Sequence, residues 1–182
     1  MKIILGLVGD LASGKGTISQ YIQTQYSGNT YRFSTMLRDI LDRIYVEKNR
    51  ENLQELSTFL REKFGQDVMS KVIAKDVEAD QGNFVIVDGI RRPTDITYLE
   101  KIPGFSLVYV TADSQLRWQR LVQRKENPGD EKKTYEEFLH DEQAEADQLI
   151  QTLGSQAKIK ITNNGTKQEL FAQVEAIIQQ LK

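Results

Sequence analysis

A chain of 182 residues with 39% hydrophobic and 27% charged side chains has the size and balance of one water-soluble domain. Its formal net charge of -2 gives no basic footprint for nucleic acid, and no apolar run approaches the roughly 18 residues that a membrane span needs. With no cysteine and a single histidine, His140, the chain can build no disulfide, no thiolate or multi-histidine metal site and no cysteine nucleophile.

In chain order, residues 2–8 (KIILGLV) form a short apolar run that reads as a buried strand. The apolar stretch at the start of the chain, residues 1–5, is too short for a signal peptide and ends at Gly6, so the protein is expected in the cytoplasm. A glycine-rich segment follows, then a helical pattern to about Tyr26. Residues 30–33 read as another short strand, and Ser34 as the cap of a helix through Leu41. Residues 83–88 (NFVIVD) and 106–111 (SLVYVT) read as buried strands, with Pro93 suited to a first helical turn between them. Asp113 or Ser114 caps a helix through Arg124, and the polar stretch 125–133 (KENPGDEKK) reads as an exposed loop. Thr134 with Glu137, and Thr166 with Glu169, have capping-box spacing. Residues 158–162 (KIKIT) alternate and read as an edge strand. Strands alternating with helices over one domain predict an α/β fold with a five-stranded, mostly parallel sheet flanked by helices.

The segment with most chemistry is Gly9-Asp10-Leu11-Ala12-Ser13-Gly14-Lys15-Gly16-Thr17. Its glycines let the main chain curl around an anion, so that successive N–H groups from Gly9, Ala12, Ser13, Gly14 and Gly16 can point inward. The helix that begins here adds its positive end. Lys15 is placed to reach the β- and γ-phosphates of a nucleotide. The spacing therefore predicts a site for ATP with Mg2+. The usual motif puts a serine or threonine directly after the lysine to ligate the metal. Here Gly16 stands in that place and Thr17 comes next, so direct ligation by Thr17 is not expected.

Asp88 closes a strand and is followed by Gly89, Arg91 and Arg92. In an open parallel sheet, ligands sit beyond the carboxyl ends of the strands. Asp88 there can hold Mg2+ through water or orient the acceptor, and the arginines can grip an acceptor phosphate. Arg117, Arg120 and Arg124 fall at helical spacing, a pattern more often solvated than functional. Asp10 would repel phosphate, so it is read as an outward-pointing turn former; the other reading turns it toward the acceptor or metal. His140 and Trp118 read as surface or packing residues.

These motifs together resemble the adenylate-kinase-like and dephospho-CoA-kinase-like P-loop kinases, most of all an archaeal-type adenylate-kinase-related branch. The likeness runs through GLVGDLASGKGT at 6–17, STMLRDIL at 34–41, ENLQELSTFLREKFGQDV at 51–68, VDGIRRPTDITYLE at 87–100, TYEEFLHDEQAE at 134–145 and ITNNGT at 161–166. It implies an acceptor-binding insert at 34–80 and a lid at 125–133 with flanking helices, carried on a core of 1–33, 81–124 and 154–182. It implies that Arg38 binds acceptor phosphate, that Arg120 and Arg124 serve the lid, and that Asn163 and Gly165 border adenine. Lys15, Asp88 and Arg124 are then the candidate catalytic residues. Gly9, Ala12, Ser13, Gly14, Gly16, Thr17, Arg120, Asn163 and Gly165 join Lys15 at the cofactor. Arg38, Arg91 and Arg92 would hold the acceptor. The expected function is phosphotransfer from ATP to a small nucleotide acceptor, a nucleoside or deoxynucleoside monophosphate. A dephospho-CoA acceptor is the alternative. A nucleotide-binding regulator or slow ATPase is the alternative of another class. No nucleic-acid or membrane partner is expected, and the chain could act as a monomer or a homo-oligomer.

Overall fold

The computed structural model describes residues 2–124, 129–142 and 145–182. Five strands form one parallel sheet: β1 (Ile3–Gly9), β2 (Asn29–Arg32), β3 (Phe84–Ile90), β4 (Phe105–Thr111) and β5 (Ile159–Thr162), in the order β2-β3-β1-β4-β5. Every residue of β1 is buried, as its unbroken apolar run requires of a strand covered on both faces. Alternate side chains serve opposite faces. Ile4 and Val8 join one core with Val85, Val87 and the helices α2 (Phe33–Arg43), α4 (Val68–Ala79) and α7 (Glu145–Gln156). Ile3, Leu5 and Leu7 join the other with α1 (Lys15–Tyr26) and α8 (Lys167–Leu181). The edge strands β2 and β5 are the two four-residue strands and are partly exposed. Short edges of this kind limit unwanted pairing with other chains.

Most helix ends follow from their sequence. Thr134 and Thr166 accept hydrogen bonds from the N–H groups of Glu137 and Glu169, and both capping boxes are complete. They open α6 (Tyr135–Asp141) and α8. Asn49 caps α3 (Arg50–Phe64) by accepting from Asn52 N–H, and Gly65 at φ 105 ends it. Ser34 is not a cap: α2 starts one residue earlier at Phe33, whose buried ring fixes the helix against the core. Pro93 opens a helical turn as expected, the 3-10 turn Pro93–Asp95. Residues 125–128 of the expected loop lie outside the described residues. Beyond them, Gly129, Glu131 and Lys132 are exposed as expected, while Asp130–Lys132 form a 3-10 turn whose Asp130 is buried.

The helix α5 (Ser114–Arg124) carries the three arginines: Arg124 is exposed as a solvated stripe predicts, Arg120 is partly buried, and Arg117 departs from that reading. Arg117 is 6% exposed. Its Nε donates to the Ala112 carbonyl at 2.8 Å, its other nitrogens pair with Glu142, and its guanidinium lies 5.5 Å from the Phe138 ring centre. Arg117 thus pins α6 onto α5. Trp118 helps by donating from Nε1 to the Lys133 carbonyl at 2.8 Å. Among the described residues no helix is long and apolar enough to cross a membrane.

Candidate phosphate-binding site

Because β1 lies between β3 and β4, the loop that leaves it opens at the point where the chain turns to either side of the sheet. Parallel sheets bind ligands at such a crevice. The loop's shape depends on two close approaches. A Cβ on Gly9 would stand 2.0 Å from the Val110 carbonyl oxygen of β4. A Cβ on Gly14, which has φ 111, would stand 2.3 Å from Asn163 Nδ2. That amide donates to the Ser13 carbonyl at 2.8 Å, and the Asn163 N–H donates to the Thr111 carbonyl at 2.8 Å. The Asn163 carbonyl in turn accepts from Arg120 Nη2 at 2.9 Å. Strand β5, helix α5 and the glycine loop are tied together at this residue. Gly165 follows in the exposed turn.

Lys15 starts α1 and folds back over the loop. Its Nζ donates to the carbonyls of Gly9 at 2.6 Å and Asp10 at 2.9 Å. The residue as a whole is partly exposed, but its ammonium lies inside the loop. Desolvation there lowers its pKa from 10.5 to about 8, with smaller opposing effects from Asp88 and Asp10, which raise it, and from Arg91 and Arg124, which lower it. The structure therefore brings four sequence-predicted residues, Lys15, Asp88, Arg91 and Arg124, into one electrostatic neighbourhood.

Asp88 sits beside the loop because β3 is the direct neighbour of β1, with Asp88 opposite Leu7. The strand does not end there as expected. It continues through a bulge at Gly89 to Ile90. Asp88 Oδ1 accepts from Gly89 N–H at 2.8 Å, and Oδ2 lies 3.4 Å from Arg32 Nε. Asp10 is not turned outward. Its Oδ2 accepts from Thr111 Oγ1 at 3.2 Å and Tyr109 Oη at 3.4 Å, so it faces β4 beneath the loop. Two hydroxyls on the neighbouring strand offset the repulsion that an extra carboxylate brings here.

Arg91 and Arg92 are exposed, and their main chain is held firmly. Both N–H groups donate to Asp95 Oδ2 at 3.0 Å. Asp95 is 2% exposed, and its Oδ1 accepts from Arg61 Nη2 of α3 at 2.8 Å. Sequence reasoning missed this buried pair. The available signal was the spacing from Arg92 to Asp95, which repeats the reach-back of a capping box. Arg38 is exposed on α2 and makes no hydrogen bond or ion pair among the described residues. Thr17 lies in a separate recess with Tyr21, Lys167 and Phe171.

Ser13 Oγ and Arg120 Nη1 are buried without a hydrogen-bond partner among the described residues, and both belong to segments bordering the loop. Buried donors of this kind call for a partner. With the Lys15 ammonium and the N–H groups of the loop, they form a donor set that fits a polyphosphate. For Mg2+, no group of three or more acidic or histidine side chains comes together among the described residues. A Cβ on Gly16 would meet nothing within 4 Å, leaving open space where related loops carry a hydroxyl.

The retracted lysine gives a pH dependence. A polyphosphate stabilises the ammonium form, so the bound pKa lies above the free value of about 8. Affinity is full below that value and declines as pH rises through it. ATP affinity measured by calorimetry is expected to fall about tenfold from about pH 7 to about pH 9. In Lys15→Arg, whose guanidinium does not titrate, the slope disappears.

A protein-family profile described as an AAA domain matches residues 5–149. The chain is 27% identical over 180 residues to the UPF0200 protein of Hyperthermus butylicus, covering 99% of this chain and 95% of that one. It is 23% identical over 180 residues to the UPF0200 protein of Methanothermobacter thermautotrophicus, covering 98% and 90%. Among solved structures, shikimate kinase from Bacteroides thetaiotaomicron superposes with a TM-score of 0.65 at 15% identity, covering 98% of both chains. TT1252 from Thermus thermophilus gives a TM-score of 0.65 at 15% identity, covering 100% and 98%. The chain shares the fold of these two proteins.

Proposed function

This chain belongs to the AAA domain family, and we propose that it is an ATP-dependent phosphotransferase acting on a nucleoside or deoxynucleoside monophosphate. One observation carries the reading: the Lys15 ammonium lies inside the loop that leaves β1, on the carbonyls of Gly9 and Asp10, and the neighbouring strand β3 sets Asp88 beside that loop with Arg91 and Arg92 on the turn beyond. Asp88, Arg91 and Arg124 also lie within electrostatic range of that ammonium. A plain nucleotide sensor has no need of arginines on the acceptor side.

Bound ATP with Mg2+ would supply the phosphoryl group. Lys15 leaves the carbonyls of Gly9 and Asp10 and balances charge on the oxygens of that group. Arg124 approaches the same charge from the α5 side. Asp88 orients the acceptor or a metal-bound water. Arg91 and Arg92, on their fixed turn, hold the acceptor's existing phosphate, with Arg38 on α2 as a further donor. Ser13 Oγ and Arg120 Nη1, which have no partner among the described residues, would find one at the nucleotide. Positioning and electrostatics do most of the work.

The test is an acceptor panel with ATP and Mg2+, read as ADP release above the acceptor-free rate. The panel holds ribo- and deoxynucleoside monophosphates, dephospho-CoA and shikimate. The expected product carries the new phosphate on the acceptor's own phosphate. Transfer to a ribose 3′-hydroxyl or a ring hydroxyl would move the acceptor class. ATP binding with no acceptor-dependent turnover would overturn the proposal in favour of a regulator or slow ATPase.

A further inference from the structure

No motif marks Arg32, yet it is placed between two parts of the molecule. It ends β2 and is the register partner of Asp88 on β3. Its Nε lies 3.4 Å from Asp88 Oδ2, and Asp88 is the carboxylate that acts most strongly on Lys15. Arg32 also lines a cavity of about 760 Å³ between the β2 edge, α2 and α4. One guanidinium thus connects this cavity with the phosphate site.

The ion pair is built to exchange. The Arg32 side chain is 54% exposed and that of Asp88 16%. A pair so open to water is weak. Asp88 keeps a second anchor, the Gly89 N–H on Oδ1 at 2.8 Å, so it holds its place when Arg32 departs. A phosphate dianion carries more charge than a carboxylate and matches the guanidinium fork. It is the stronger competitor for Arg32.

We infer that Arg32 is an acceptor-sensing positioning residue: it restrains Asp88 until an anionic group of the acceptor, seated in the cavity, takes over its guanidinium. This inference rests on the phosphotransferase reading. Asp88 becomes available beside Lys15 only when an acceptor is present, which holds back attack by water. The cavity describes the acceptor's chemistry. Arg32 and Arg43 are its cationic side chains, Met36, Ile40 and Val72 give it apolar walls, and Asp39 and Asp76 add carboxylates. It suits a molecule with a phosphate near Arg32, a flat apolar body, and amino or hydroxyl donors facing Asp39 and Asp76.

The experiment compares wild type with Arg32→Gln and Arg32→Lys. ATP hydrolysis is followed without acceptor, and transfer is followed with AMP, CMP, GMP and UMP. Arg32→Gln is expected to raise acceptor-free hydrolysis several-fold, to raise the acceptor KM about tenfold, and to leave ATP affinity unchanged. Arg32→Lys, which keeps the charge without the fork, should fall between. UMP, which lacks an exocyclic amino group, should be the poorest acceptor of the four. Circular dichroism melting checks that both variants fold; if Arg32→Gln does not, Arg32→Lys carries the test. Wild-type transfer with unchanged acceptor-free hydrolysis and unchanged acceptor KM in the folded variant overturns the Arg32 inference alone. Absence of transfer by wild type to any acceptor in the wider panel overturns the phosphotransferase reading and this inference with it.

Discussion

Lys15→Ala is expected to fold as wild type does and to lose about a thousandfold in kcat, the scale on which enzymes lose rate when one charge-stabilising donor is removed. The fold should survive because the ammonium is held at a cost. Its pKa is lowered to about 8 chiefly by desolvation, so the folded chain binds that proton less tightly than the unfolded chain does. Around neutral pH the charge at this position therefore opposes folding. For wild type, stability should rise as pH climbs from about 8 toward the ordinary value of 10.5, because there the unfolded chain binds more protons. The alanine variant should lack that rise. Its loss of two hydrogen bonds to the carbonyls of Gly9 and Asp10 is cushioned by water entering the loop. Thermal melts at two pH values and single-turnover transfer measure both effects on one preparation. Near-wild-type transfer by the folded variant would remove Lys15 from the chemistry and leave the phosphate loop without its main cation.

Sequence alone exposed the parts of the site that are local. The apolar run of β1, the glycines that follow it and the start of α1 are contiguous, and each has its own physical signature. The five strands were legible for the same reason, although β3 runs two residues beyond Asp88 through a bulge that leaves no mark in composition. Pairings across long stretches of sequence were not legible. Arg61 and Asp95 stand 34 residues apart, and each read alone is a surface charge. Arg32 and Asp88 meet only because β2 and β3 are neighbours in a given register. Asp10 read as a turn former because its two hydroxyl partners, Tyr109 and Thr111, lie on another strand. For Arg117 a signal did exist: it precedes the buried Leu121 by four residues and so shares its inward face. Arginine at such a position was read by its usual exposure rather than by its phase.

Asp95→Ala is expected to be the most damaging substitution for stability outside the hydrophobic core. The carboxylate accepts from Arg61 on one oxygen and from the Arg91 and Arg92 N–H groups on the other. Side chains of the pair are 8% and 3% exposed. Removing the acid strands a buried guanidinium, whose Nε already lacks a partner among the described residues, and two main-chain donors. Loss of one partner from a buried pair costs about 3–5 kcal/mol, a large part of the roughly 5–15 kcal/mol that holds a domain of this kind together. Urea denaturation should show the midpoint falling with little change in slope. Arg61→Met combined with Asp95→Leu should cost less than the sum of the single changes, because no charge is then left buried alone. A functional effect should accompany the structural one. The turn carrying Arg91 and Arg92 loses its anchor, so the acceptor KM should rise under conditions where the variant is still folded, while the ATP KM stays near wild type. A loss under about 1 kcal/mol would mean that the pair is dispensable and that the turn is held by the Pro93–Asp95 main chain alone. Unequal effects on the two KM values are what separate a scaffold that aims the acceptor arginines from one that merely holds the helices together.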